Sequence, residues 1–263
     1  MSLSRSILIF QLFFLSLVLF GQSFVDVESG GLTYTMVDRE GVETLYDIRV
    51  DDFRIAATEV TVAQWREFTR ETGLDFPWKH HYAGDISELS PGENCPIQLV
   101  RIEEALYYCN WLSRKEGLQM VYLQNGIRII RDEDADGYRL PTTEEWDYAA
   151  RGGRFTHGYI YAGSDNPEEV AWINLPVEEG TKPVGTKAPN ELGIYDMSGN
   201  IREWTWPEAG IPYPPEGSHE SVHLRGGGWT SKGKIARLDY DRVEWVFQWS
   251  CNGFRLARNA AGR

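Results

Sequence analysis

From Gly152 to the C-terminus the chain has almost no hydrophobic periodicity, and nothing else in the sequence constrains the fold as strongly. Gly, Pro, Asn and Asp recur every few residues there, so neither a long helix nor a regular sheet can be written onto it. Large rings are nevertheless abundant: the chain carries 10 Trp and 13 Tyr. Such rings fill irregular space that regular elements would otherwise fill. A loop-rich body is expected, with short strands at Ile194–Met197, Val222–Trp229 and Gly253–Ala257.

Regular patterns are confined to the N-terminal part. Gly31 to Asp52 alternates apolar and polar residues with a turn signal near Gly41, as a hairpin does. Thr61 is a helix cap, Val62, Trp65 and Phe68 share one face of a helix over Val62–Thr72, and Gly73 stops it. A second helix spans Ile102 to Gly117, with Ala105, Leu106, Cys109 and Leu112 on one stripe and Glu103 and Glu104 in its first turn. Thr142 or Thr143 caps a third over Thr142 to Ala150. No repeat, low-complexity linker or composition shift divides the chain. Three short helices on an irregular strand-and-loop body make one α+β domain.

The first residues read as an address. Met1 to Arg5 carries a positive charge, Ile7 to Phe20 is mostly apolar, and small residues follow at Gly21 and Ser23. That is the three-part pattern of a secretory signal over residues 1–23, followed by a mature domain over residues 24–263; a retained anchor is the alternative. The run is short for a bilayer span, so no membrane insertion is expected once it is removed, and the protein is expected in a periplasmic or extracellular setting. The net charge of −13 argues against nucleic acid as a partner, because phosphate binding needs a basic surface. Three cysteines are too few for a disulfide scaffold. Cys109 reads as a buried thiol, while Cys95 and Cys251 either pair or stay free.

Two motifs look catalytic and are read otherwise. His219 and His223 match the His-Glu-x-x-His pattern of zinc proteases, which needs both imidazoles on one helix face. Here the pattern runs into Arg225-Gly226-Gly227-Gly228, and in an extended chain the two would stand about 13 Å apart, too far to share an ion. Asp132 to Gly137 opens like a calcium loop, but its twelfth position is Thr143 rather than a carboxylate, so a solvated acidic turn is expected.

Seven segments, in one collinear order, resemble the formylglycine-generating enzyme (sulfatase-modifying factor) family: Ala57–Trp65, Cys95–Ser113, Gly137–Trp146, Pro183–Gly185, Gly193–Trp204, Arg225–Trp229 and Gly253–Arg258. The resemblance implies a variant of the C-type lectin fold. It also implies where chemistry has gone. The oxidase members hold copper on two cysteines, and those positions fall on Ser231 and Ala236, with the active-site serine on Gly228; copper needs soft thiolates, which neither residue offers. One family calcium site falls on Asp196, the carbonyls of Gly199 and Ile201, and Glu203, two carboxylates and two carbonyls of the kind a hard cation takes; a second falls in the short stretch Ala171 to Thr186 and is expected to be absent. The aromatic-rich segment from Trp229 to Cys251 would line the concave face of such a fold, making Trp229, Tyr240, Arg242, Trp245 and Trp249 candidate ligand contacts. These implications lead to an exported binding module, not a cysteine oxidase, whose ligand is a small molecule, peptide or protein. A periplasmic maturation enzyme of other chemistry, with Asp239, Asp241, Arg242 and Glu244 facing a pocket, is the alternative, and a structural part of an envelope assembly is a third reading.

Overall fold

The computed structural model describes residues 22–38, 40–74, 86–126, 128–206, 211–212, 224–240 and 251–260. The apolar leader, both His-Glu-x-x-His histidines, and Arg242, Trp245 and Trp249 lie outside the described residues.

The elements run β1 (Phe24–Val27), β2 (Gly30–Val37), β3 (Glu43–Val50), β4 (Phe53–Ala56), α1 (Val62–Thr72), α2 (Ile86–Leu89), α3 (Ile102–Lys115), β5 (Tyr122–Asn125), β6 (Arg128–Arg131), α4 (Thr143–Ala150), α5 (Pro167–Val170), β7 (Arg202–Trp204), β8 (Ile211–Pro212), β9 (Leu224–Arg225), β10 (Asn252–Gly253) and β11 (Ala257–Asn259). β4 lies between β1 and β11, antiparallel to both, so the two ends of the described chain meet in one sheet. β7 lies between β10 and β9, β2 pairs with β3, and β6 lies between β5 and β8.

The three expected helices form where their caps place them. Thr61 accepts from Gln64 N while Gln64 Oε1 accepts from Thr61 N at 2.9 Å, a reciprocal box that satisfies two donors at the start of α1. Gly73 closes the helix in the left-handed region at φ 70°. Thr142 and Glu145 repeat the box on α4, and Glu145 also grips Arg139 at 2.6 and 2.7 Å. α1 packs on α3 through rings: Trp65 stacks on Tyr108 with centroids 5.7 Å apart, and Phe254 meets Tyr108 edge-on at 5.4 Å. A second core gathers Phe53, Ile55, Trp146, Tyr148 and Met197 under the β2–β3 hairpin and α4.

The expected strands need correction. Ile194–Met197 is not a strand: Asp196 has φ 58°, and Asn190 Oδ1 accepts from Leu192 N and Ile194 N, folding the segment into a turn. Of Val222–Trp229 only Leu224–Arg225 pairs among the described residues, because Gly226 and Gly227 turn away at φ 86° and 71°. Gly253–Ala257 splits between β10 and β11, with Phe254 and Leu256 accepting from Val60 N and Ala56 N in between. Cys95, Cys109 and Cys251 are all free thiols, the first two buried.

Candidate functional site

The segment from Gly193 to Glu203 carries no regular structure of its own until β7, so its shape comes from what it is stitched to. Asn200, fully buried at φ 57°, exchanges side-chain bonds with Lys182 N and O, while its backbone N–H donates to Trp172 O and its carbonyl accepts from Trp229 N. Gly199 N donates to Gly226 O at 2.8 Å. A side chain at Gly199 is excluded twice over: φ is 87°, and an added Cβ would stand 2.4 Å from Trp172 O. The turn is thereby clamped between residues 171–174 and the glycine-rich segment Gly226–Gly228.

Beneath this turn sits a charge cluster assembled from three separate segments. Arg255, fully buried, donates to both oxygens of Glu203 at 2.6 and 2.7 Å, to Tyr195 O at 2.9 Å and to Ala56 O at 3.2 Å. Glu203 also accepts from Trp146 Nε1 at 2.8 Å. Asp196 Oδ2 accepts from Gly185 N at 2.7 Å, but its Oδ1 has no donor, and Glu59, 0 % exposed, has no donor on either oxygen. Burial, reinforced by the neighbouring Asp196, pushes the Glu59 carboxyl well above its ordinary range; burial likewise raises Asp196, against the pull of Gly185 N–H and Arg255. Against burial, Glu203 holds the Arg255 guanidinium firmly charged.

This arrangement bears on the calcium expectation. Asp196 keeps a free oxygen, as a ligand requires, but both oxygens of Glu203 are taken by Arg255. The implied set of Asp196, Gly199, Ile201 and Glu203 therefore does not fit a cation as written, and no three of His, Cys, Asp and Glu converge as ready metal ligands among the described residues. The acidic turn at Asp132 satisfies itself: Asp132 accepts from Asp134 N, Asp136 from Gln119 N, and Glu133 pairs with Arg131.

Above the cluster an open cleft is lined by Trp146 and Asp147 of α4, Arg202 of β7, Arg225 of β9, Gly226, Gly227, and the stretch Ile235 to Leu238 with Tyr240. Arg225 Nε donates to Asp147 Oδ1 at 3.0 Å, and Tyr34 donates to Asp147 Oδ2 at 2.8 Å. Arg151 covers the Tyr34 ring at 3.7 Å. Arg237 pairs with Asp239 at 2.7 Å. Burial lowers the Arg202 guanidinium's pKa, with Cys251 pulling the other way.

The two positions matching the copper cysteines are closed. Ser231 is buried, and its hydroxyl accepts from Gly228 N at 2.9 Å; Ala236 is buried and presents only a methyl. Cys251, distant in sequence, comes beside them: a Cβ on Gly228 would lie 3.5 Å from the Cys251 Cβ. Burial pushes that thiol up, although Arg202 and Thr230 work the other way. Among the ligand contacts implied by the resemblance, Tyr240 lines the cleft, whereas Trp229 is 1 % exposed, in the interior against Cys251.

Glu59, Arg255, Arg202 and Asp147 escaped the sequence reading as site residues. A signal was present for the first two. Each is a lone charge inside an apolar string, Ala56–Val60 and Phe254–Ala257, where a charge is tolerated only if paired.

A mixed fold of short helices and short strands, a turn clamped under a glycine-rich segment, and a cleft over a buried arginine–carboxylate pair define a class rather than an activity. The chain belongs to the sulfatase-modifying factor enzyme 1-like domain family, whose profile matches residues 19–260. It is 36% identical over 226 residues to chaperone protein LppX of Paenibacillus barcinonensis, covering 74% of this chain and 75% of that one. It is 28% identical over 221 residues to inactive C-alpha-formylglycine-generating enzyme 2 of Mus musculus, covering 73% and 68%. Among solved structures it is similar to Treponema denticola variable protein 1, with TM-score 0.71 and 24% identity over 90% of this chain and 95% of that one. CarF superposes with TM-score 0.63 and 28% identity over 91% and 99%. Among the described residues no helix is long and apolar enough to cross a membrane.

Proposed function

We propose that this protein is an exported binding module of the sulfatase-modifying factor family that recognises a peptide or protein ligand in the cleft and does not oxidise cysteine. The observation that carries the reading is the chemistry at Ser231 and Ala236. A hydroxyl already bonded to Gly228 N–H and a methyl group cannot supply the two soft donors that a copper centre demands. The relatives named as a chaperone and as an inactive enzyme support a role in binding. The cleft supports it too: Arg202, Arg225 and Arg237 line it in a protein of net charge −13, which favours a ligand presenting an acidic or amide group. Tyr240 supplies a ring beside them, and Arg242, Trp245 and Trp249 follow it in sequence as candidate contacts.

The test has two arms. A sulfatase-type cysteine peptide incubated with the purified mature protein, Cu(I) and oxygen stays intact by mass spectrometry; formation of an aldehyde refutes the reading. In a displayed peptide library the wild type enriches a defined sequence class, and Arg202→Ala or Tyr240→Ala weakens binding while the unfolding temperature holds. Equal binding by both variants removes the cleft from the proposal.

One observation favours a second reading, a maturation enzyme of other chemistry: the Cys251 Cβ comes up against Gly228, beside the closed cysteine positions. If that reading holds, Cys251→Ser abolishes an activity that Cys109→Ser leaves intact.

A further inference from the structure

The stretch from Phe155 to Ile160 holds apolar side chains outward on a backbone that is pinned at several points. Phe155 is 52 % exposed, Tyr159 36 % and Ile160 37 %. A single exposed apolar residue is ordinary, but such a concentration marks an interaction site. The polar groups here serve the backbone instead of covering the patch. Glu191 Oε1 accepts from His157 N at 3.1 Å and stands 3.3 Å from its Nδ1. Thr156 Oγ1 accepts from Gly158 N at 3.2 Å, and Asp165 Oδ1 accepts from Ile160 N at 2.8 Å. Gly158 turns the chain at φ 74°, where a side chain would be strained. Arg154 lies over the Phe155 ring at 4.8 Å, which leaves Tyr159 and Ile160 as the open contacts.

Position narrows what the patch meets. Ile160 O accepts from Leu238 N at 2.8 Å, and Leu238 lines the cleft together with Ile235, Arg237 and Tyr240. The stretch is therefore a rim of the cleft, and a chain leaving the cleft past Leu238 runs onto Ile160 and Tyr159. Side chains carried on a pinned backbone lose little freedom when a ligand covers them, so they make efficient contacts. The carboxylates of Glu191 and Asp165 beside the rim, in a protein of net charge −13, disfavour an anionic lipid surface as the occupant.

We propose that the Tyr159–Ile160 rim is the second half of the peptide site. The cleft takes a polar anchor, and the rim takes a large apolar side chain of the same extended peptide. This rests on the reading of the cleft as a peptide site and adds the ligand's class: a segment that joins an acidic or amide-bearing residue to a nearby apolar one.

The experiment pans a random displayed peptide library on the purified mature protein. An enriched peptide is then titrated by calorimetry, both whole and with its apolar residue changed to Ser. Tyr159→Ala and Ile160→Ser are each expected to weaken the whole peptide about tenfold while Tm holds, and to leave binding of the Ser-changed peptide as it is in wild type. Two variants are used so that a folding failure of one leaves the other to decide. Val177→Ser, at a position 64 % exposed in another loop, is expected to bind like wild type. Full binding by both rim variants overturns the proposal, and the cleft reading survives that result if Arg202→Ala or Tyr240→Ala still weakens the peptide. Loss in the rim variants with full binding by both cleft variants sinks the cleft reading and the two-part site with it, as does a library that enriches nothing. Equal weakening by Val177→Ser, or binding to phosphatidylglycerol vesicles that Tyr159→Ala abolishes, overturns the proposal as well.

Discussion

Replacing Arg255 by methionine removes a guanidinium while keeping most of the side-chain volume. In the structure this strands Glu203, which is 0 % exposed and has Trp146 Nε1 as its other donor, and it takes a donor from the carbonyls of Ala56 and Tyr195. Breaking a buried pair by deleting one partner costs about 3–5 kcal/mol. Two under-satisfied carbonyls add about 1 kcal/mol each at most, giving a loss of about 4–6 kcal/mol. Against a total stability of about 5–15 kcal/mol, that is a large fraction. Urea unfolding followed by tryptophan fluorescence measures it, and a domain of this size should lose about 10–20 °C in Tm. The double variant Arg255→Met/Glu203→Gln should recover at least about 2 kcal/mol, because a neutral amide is far cheaper to strand than a carboxylate. A single-variant cost below about 1 kcal/mol with an unchanged denaturant slope would refute the reasoning, as would a double variant no more stable than the single.

Other expectations follow from the same contacts. Gly199→Ala should cost about 2–4 kcal/mol in urea unfolding, because a positive φ and a 2.4 Å approach to Trp172 O act together, whereas Gly228→Ala, whose Cβ would meet nothing closer than 3.5 Å, should be near neutral. Arg139 and the Thr142 N–H, overcoming burial, hold Glu145 below its ordinary value of 4.5, so its contribution to stability is complete above that pH and is lost as pH falls through the depressed value. The stability gap between wild type and Glu145→Gln should therefore be flat from pH 7 to about 5 and close below it, as measured by urea midpoints. Thr61→Ala should lower stability by about 1 kcal/mol through the lost cap of α1, an effect that Thr61→Ser largely restores. Burial raises the thiols of Cys95, Cys109 and Cys251, so alkylation of the native protein at pH 8 should be slow at all three and fast in urea; rapid native labelling of Cys251 would place that thiol in reach of solvent.

The three main helices were legible because local chemistry sets their limits. Thr61 with Gln64 and Thr142 with Glu145 close their boxes within a single turn, Gly73 stops α1 by its own backbone freedom, and the stripe through Ala105, Leu106 and Cys109 needs only a 3.6-residue period. The sequence reading put the large rings into irregular space, whereas Trp65 and Phe68 of α1 and Tyr108 of α3 meet between two regular helices, with Phe254 against them. Beyond Gly152 local information runs out, since what shapes a loop is the distant group that satisfies its backbone. Ile194–Met197 reads as a strand by composition, yet Asn190 and the left-handed Asp196 fold it into a turn. The family resemblance made Trp229 a candidate ligand contact, and it is interior. Family resemblance paired Asp196 with Glu203 around an ion, and only the packing revealed that Arg255, arriving from beside the last strand, occupies Glu203. Sequence separation carries no information about such a meeting. It is decided by which buried charges the assembled sheets bring together and which of them find a counter-charge there.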